Sequence, residues 1–380
     1  MQKKLIALAI AGLMSAPAFA QSSVTLYGTV DYGYTSFGSG KKDHGHRDAS
    51  AKSRFALDSG VSKFNRIGFR GVEDLGNGLK AVFVLENGLT GDTTGTGIYN
   101  GTNRQSYAGL AGGFGTVAFG RQYTPQHLFS AAVDPFGKNG IAGLNNSLVQ
   151  DTRLDNLGAY ISPNWGGFSF VAGYTLNGFG NEALENQGDI RVWALAPSFT
   201  WNKLFVAGNY HTAKVNGAHK GDFNKSVLNV AELYGSYDFG IVKVGSLIGR
   251  RTTKKAIGEL GGGSAWDKDS KLTQFMLGAT FNVSPKDKIM TSWTRATENR
   301  VNDNPRRKLS QFALGYEHAL SKRTAVYALA AFQSQNKAFK DAESFWSFGS
   351  NVGSVGNPAL GYGGNMMYRR GVGAGMRHDF

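Results

Sequence analysis

The fold class this sequence predicts is all-β: a transmembrane antiparallel barrel of about sixteen strands. Three observations carry it. A patterned strand runs to the last residue, segments with period-two hydrophobicity recur along the chain, and tight connections alternate with long ones.

In the closing stretch Tyr368–Phe380, one register (Tyr368, Val372, Ala374, Met376, Phe380) is mostly apolar. The other (Arg369, Gly371, Gly373, Gly375, Arg377, Asp379) is polar or lacks a side chain. Terminal residues ordinarily fray, so a pattern kept to the end points to a terminus paired in a sheet. One apolar and one polar face with an aromatic tip suit the last stave of an outer-membrane barrel. At the other end, Lys3 and Lys4 precede an apolar run from Leu5 to Met14 and then Ala18-Phe19-Ala20. This predicts a secretory signal peptide over 1–20, with the barrel over 21–380. The run is too short for a spanning anchor.

Beyond Gln21 there is no unbroken apolar run long enough for a transmembrane helix. The absence of cysteine excludes disulfides and thiolate metal sites. With 53 glycines, each destabilising in a helix interior, a helical fold is disfavoured. The formal charge of +14 is spread along the chain, with only short runs such as Arg306-Arg307-Lys308. That dispersal and the export signal argue against nucleic acid as a partner; on a pore, a basic balance favours anionic solutes.

The repeating unit is about ten residues long. In Phe168–Asn177, Phe168, Phe170, Ala172, Tyr174 and Leu176 oppose Ser169, Val171, Gly173, Thr175 and Asn177. In Lys271–Val283, Phe275, Leu277, Ala279, Phe281 and Val283 oppose Gln274, Met276, Gly278, Thr280 and Asn282. Alternation alone also describes a soluble sandwich, so the connections decide. Leu75-Gly76-Asn77-Gly78, Gly112-Gly113-Phe114-Gly115, Asn164-Trp165-Gly166-Gly167 and Phe239-Gly240 are tight. Gly38–Gly60, Gly178–Gly188, Asn216–Lys225, Thr252–Ser270, Asn299–Arg307 and Gln335–Gly363 are long and polar. Short and long loops in alternation mark a barrel with a periplasmic and an extracellular rim.

The sequence offers little for catalysis. Asp43, His44 and His46 form a weak metal-ligand pattern in a Lys/Gly-rich loop, which reads better as solvated surface. The remaining histidines show no Ser/His/Asp spacing, and the Gly-x-Gly matches follow from glycine abundance. The expectation is a non-enzyme without cofactor or metal.

Three stretches carry a family resemblance: Ser22–Asp31 (SSVTLYGTVD), Arg66–Ala81 (RIGFRGVEDLGNGLKA) and Phe114–Tyr123 (FGTVAFGRQY). Weaker echoes are Tyr160-Ile161-Ser162-Pro163, Leu320–Thr324 and the ending Gly375–Phe380. Together they resemble the trimeric general diffusion porins of Gram-negative bacteria, especially the beta-proteobacterial branch. The resemblance implies a homotrimer in the outer membrane with both termini periplasmic. Its surroundings would be membrane lipid and lipopolysaccharide. It also implies a water-filled pore for small hydrophilic solutes and inorganic anions, narrowed by the third extracellular loop. Phe380 would be the terminal signal read by the barrel-assembly machinery.

On this chain the constriction loop falls at 123–151. Its apolar residues (Leu128, Phe129, Val133, Phe136, Ile141, Leu144, Leu148) argue against a solvated segment. The resemblance places Asp134, in Asp134-Pro135-Phe136-Gly137, at the constriction, opposite a positive wall that includes Arg66 and Arg121. Alternation puts Arg66 and Arg70 on the lumen face, because Ile67 and Phe69 take the other. For Arg121 it does not help, since Val117 and Phe119 share its register; lumen placement there rests on the resemblance or on a local irregularity. Glu86 is a second candidate carboxylate. Relatives often carry a base where this chain has Ala159, for which Arg153 or Lys243 would be partial replacements. The alternative reading is a substrate-specific channel for anionic solutes or sugars, although Tyr27, Tyr123 and Trp165 reveal no binding track.

Overall fold

The computed structural model describes residues 23–39, 53–92, 102–150, 152–178, 190–215, 226–254, 269–300, 303–340 and 368–380. The expected signal peptide, the Asp43/His44/His46 pattern and most of the long connections lie outside the described residues.

Among the described residues, seventeen strands form one closed sheet. They are β1 (Ser23–Ser39), β2 (Arg54–Ser59), β3 (Arg66–Gly76), β4 (Leu79–Gly88), β5 (Thr102–Gly112), β6 (Gly115–Tyr123), β7 (Arg153–Ile161), β8 (Phe168–Thr175) and β9 (Ile190–Trp201). There follow β10 (Leu204–Val215), β11 (Ser226–Asp238), β12 (Val242–Lys254), β13 (Ser270–Asn282), β14 (Asp287–Arg300), β15 (Asp303–Ala319), β16 (Thr324–Gln335) and β17 (Tyr368–Asp379). Because β2 and β3 both pair with β1, end to end, they are one interrupted stave, and the barrel has sixteen. Every strand is antiparallel to its neighbours, which follows from the hairpin connections.

Period-two patterning fixes which face is wet. On β1, Val24, Leu26, Val30 and Tyr34 are exposed on the outer wall while Thr29, Asp31 and Thr35 are buried inside. The two segments singled out above behave alike: Phe168, Tyr174, Leu277 and Phe281 face out. A one-residue slip would turn every polar inner residue to lipid, so this pattern specifies register strongly. At the tight turn after β3, Gly76, Asn77 and Gly78 all have positive φ (86°, 52° and 77°), a conformation open to glycine and tolerated by asparagine.

β17 closes the barrel on β1, from Thr29 opposite Asp379 to Ser39 opposite Tyr368. Phe380 continues the seam: its amide donates to the Gly28 carbonyl (3.2 Å) and its carbonyl accepts from the Gly28 amide (3.1 Å). A Cβ on Gly28 would stand 2.4 Å from the Phe380 ring, so the ring requires glycine beneath it. Closure leaves no open edge and pairs the backbone within the membrane.

Two connections differ from expectation. Within Gly38–Gly60, residues 54–59 are strand, with Phe55 and Leu57 on the outer face. Within Asn299–Arg307, strands β14 and β15 extend until Arg300 pairs with Asp303. At β14 and β15 the strands outrun the apolar band, and their polar upper ends look like loop. The break at 60–65 was also not expected. There the chain leaves the sheet and the Asp31 carboxylate accepts from the Ser62 (3.0 Å) and Lys63 (2.6 Å) amides. Val61, 1% exposed, accepts from the amide of Ile141 (3.0 Å), so the break meets the tip of the third loop.

Candidate pore constriction

The connection from β6 to β7 turns into the barrel. It opens with helix α1 (Pro125–Val133), whose first turn has Thr124 as its cap, accepting from the His127 amide at 3.1 Å, and Pro125 at a position needing no amide donor. Apolar residues of the loop then cover the inner wall. Phe129, Val133, Leu144 and Leu148 pack against Phe205, Tyr234, Leu247 and Met276 on β10 to β13. Further along, Ile141 and Ala142 meet Phe37, Met290, Tyr327 and Leu329.

Polar groups fix the loop's height on the wall. Gln274 of β13 bonds both main-chain groups of Val149, accepting from its amide (2.5 Å) and donating to its carbonyl (3.1 Å). Gln311 of β15 donates to the Ala142 (3.2 Å) and Gly143 (3.1 Å) carbonyls, and Gln333 of β16 to that of Asn146 (2.8 Å). Lys243 of β12 donates to the Ala132 carbonyl at 3.0 Å. It therefore holds the loop rather than substituting for a base at Ala159.

Glycine on the wall permits this close approach. A Cβ at Gly278 would lie 2.5 Å from Pro135. Gly278→Leu should push the loop off the wall into the lumen and lower single-channel conductance while the barrel still forms. Conductance equal to wild type would mean that the loop does not bound the pore here.

Across the lumen lies a basic cluster on β3, β5 and β7. Glu86 of β4 is its centre, 4% exposed. Arg104 Nε is 2.7 Å from Glu86 Oε1, and Arg66 Nε is 3.7 Å from Oε2. The hydroxyls of Tyr27 and Tyr123 each donate to Glu86 at 3.1 Å, and Tyr123 accepts from Arg104 Nη2 at 2.6 Å. Arg153 stands 5.5 Å over the Tyr123 ring and Arg70 5.5 Å over the Tyr27 ring, which holds both guanidiniums by cation–π attraction. Four arginines against one carboxylate leave this wall positive. His127 stacks on Tyr123 with ring centroids 4.0 Å apart. Burial, and then the positive charge of Lys138 and the arginines, hold its imidazole well below the usual histidine range, so it is neutral at pH 7.

The sequence-named residues divide. Arg66, Arg70 and Glu86 come together. Arg121 does not join them: it lies opposite Ser106, two residues beyond outward Phe119 in the same register. It pairs with Asp155 and donates to the Asn103 carbonyl (3.0 Å). The irregularity between Gly120 and Gln122 shifts β7 against β6 without bringing Arg121 to Glu86. Asp134 is a second correction. It is 5% exposed, and its carboxylate accepts from the amides of Phe136 (3.1 Å), Lys138 (3.0 Å) and Leu144 (3.0 Å). Burial pushes its carboxyl up to about 6 against the pull of those donors, leaving it ionised at pH 7. It braces the loop from within instead of presenting a counter-charge to the pore.

Arg104 escaped the alternation argument for a local reason. Opposite Glu86 and Asn87 stand Gln105 and Asn103, so Arg104 is the extra residue of a β-bulge. A bulge re-aims a side chain against the strand's period. Arg153, named only as a partial substitute, does reach the cluster through Tyr123.

A closed sixteen-stave barrel, apolar outside and wet within, with an inward loop facing a charged wall, defines a membrane channel. The profile of the Gram-negative porin family matches residues 7–338, and the chain belongs to that family. It is 31% identical over 396 residues, covering all of both chains, to outer membrane porin protein 32 of Delftia acidovorans. It is 30% identical to an outer membrane porin protein of Bordetella pertussis, covering 90% of this chain and 97% of that one. Among solved structures, the anion-selective porin from Comamonas acidovorans superposes with a TM-score of 0.73 at 28% identity, over 95% of this chain and 100% of that one. The protein is thus a multi-pass outer-membrane porin, a channel rather than an enzyme by family.

Proposed function

We propose that the protein is a homotrimeric general diffusion pore for small hydrophilic solutes and inorganic ions, with mild anion preference and no catalytic role. The observation that carries this reading is the imbalance of charge across the lumen. Arg66, Arg70, Arg104 and Arg153 surround one carboxylate, while the loop facing them turns its only described acid, Asp134, into its own backbone. Such a field raises the local concentration of anions. The anion selectivity named for the Comamonas structure supports it. A planar-bilayer recording with sugars, phosphate and organic acids added in turn tests it. Current that stays ohmic supports general diffusion; saturable block by one solute favours the alternative, a substrate-specific channel.

The proposal includes three conductance steps per insertion event, as a homotrimer requires, and Phe380 as the residue the barrel-assembly machinery reads. Deleting Phe380 removes the seam bonds to Gly28 and the ring over it. The folded, heat-modifiable fraction in the outer membrane should fall sharply. Normal insertion of the truncated chain would refute the signal role.

A further inference from the structure

Asp31 of β1 fastens the 60–65 break at both ends and in the middle. Gly60, where the break begins, donates its amide to the Asp31 carbonyl at 2.8 Å. Asn65, where it ends, accepts from the Asp31 amide through its side-chain oxygen at 2.6 Å. Between them, one oxygen of the Asp31 carboxylate takes the Ser62 and Lys63 amides, and the other accepts from the Tyr327 hydroxyl of β16. Asp31 is fully buried. The bases beside it are engaged elsewhere, Lys63 with Asp379 (2.8 Å) and Arg377 with Glu317 (3.1 Å). Its carboxylate is therefore held by neutral donors. What it contributes is a shape imposed on the break.

That shape is a seat for the tip of the third loop. The Val61 carbonyl accepts from the Ile141 amide at 3.0 Å. Gly140, with φ of 73°, comes so near that a Cβ there would stand 2.4 Å from the Val61 carbonyl oxygen and 2.7 Å from that of Ser62. The Val61 and Ile141 side chains share the space over Gly373 of β17, where a Cβ would meet them at 2.8 and 2.6 Å. Elsewhere the wall glutamines bond the loop directly. Here the wall acts at one remove, through the break.

The seat draws on β1, β16 and β17, which stand side by side once the first and last strands have paired. The loop tip is thus fixed by the closed barrel. We infer that Asp31 is a positioning residue for the pore: without bonding the loop itself, it sets where the loop tip stands by folding 60–65 into the seat for Ile141. The inference rests on the reading that this loop bounds a diffusion pore.

The test compares Asp31→Ala with Asp31→Asn. Both remove the same charge, but asparagine keeps the bonds, since its oxygen can take the two amides while its NH2 group donates to the Tyr327 oxygen. The chain has no cysteine, so Ile141→Cys gives a single reporter at the seat. In the folded protein, a water-soluble thiol reagent should label this cysteine slowly on the wild-type background. Labelling should be about tenfold or more faster with Asp31→Ala, because two amides and a hydroxyl lose their acceptor. With Asp31→Asn it should stay slow. Without the reporter cysteine, open-channel noise in planar bilayers should rise severalfold in Asp31→Ala and remain at the wild-type level in Asp31→Asn. Should Asp31→Ala not fold, Asp31→Ser, whose oxygen stands one bond nearer the main chain, should label fast in its place. Equally slow labelling in the Ala or Ser variant, or equally fast labelling in the Asn variant, overturns the inference. Labelling as expected with unchanged noise upholds the role of Asp31 and counts against the pore reading alone.

Discussion

Deleting residues 135–147 from the third loop should raise single-channel conductance on the order of twofold and admit bulkier sugars, because a sixteen-stave barrel without a filling loop leaves a wide aqueous lumen. The deletion is tolerable in principle because barrel hydrogen bonding runs from strand to strand and does not pass through the loop. It does bare Met290, Tyr327 and Leu329, which Ile141 and Ala142 cover, to water, so the barrel should unfold at lower temperature while still inserting. A finer version is Asp134→Ala. That carboxylate serves three amides, two of them in buried bonds, and each buried one left without a partner costs about 1–3 kcal/mol. The loop should then fluctuate, giving noisier current and a larger mean conductance with the barrel intact. Sugar cutoffs unchanged in both variants would place the loop outside the permeation path.

Neutralising the basic wall should abolish ion selectivity. A unit charge at about 10 Å in a water-like medium contributes about 0.4 kcal/mol. A net charge of three gives about 1.2 kcal/mol in favour of an anion and as much against a cation. Screening at a Debye length of about 8 Å reduces this difference to below about 1 kcal/mol, a several-fold preference at physiological salt that grows at low salt. In Arg66→Gln/Arg70→Gln/Arg153→Gln, with only the Arg104–Glu86 pair left, the reversal potential should approach zero. Glu86→Gln should act in the opposite sense, since it removes the cluster's only carboxylate and leaves four guanidiniums. Arg121→Gln should do less by comparison, because Arg121 keeps the outward register of Phe119 and its pair with Asp155 stands apart from Glu86. Selectivity that followed Arg121 and ignored Arg66 and Arg153 would contradict this assignment of the wall.

Much of the fold was legible because lipid on one side and water on the other impose a strict period of two. Lys271–Val283 and the final strand could be assigned to faces from composition alone, and the seam at Phe380 followed from a pattern kept to the last residue. The inward course of the third loop was legible from its apolar residues, which no solvated loop would carry. Local departures from the period were not. Arg104 joins Glu86 only because a bulge on β5 adds one residue, and the break at 60–65 exists because Asp31 offers its carboxylate to two amides across the sheet. Asp134 was located in sequence but not in role. Whether an acid in a turn faces a pore or caps nearby amides depends on the loop's own path. Arg121 stands on the other side of the same limit: alternation withheld support for a lumen position, and the residue keeps the register of Phe119, opposite Ser106 and apart from Glu86.

The most direct test of the account is the zero-current potential of the wild-type channel across a tenfold potassium chloride gradient, repeated at rising mean salt. An anion-preferring pore lined by Arg66, Arg70, Arg104 and Arg153 predicts a potential of the sign set by chloride, shrinking as salt screens the wall. A potential of the sign set by potassium, or one indifferent to ionic strength, would contradict it.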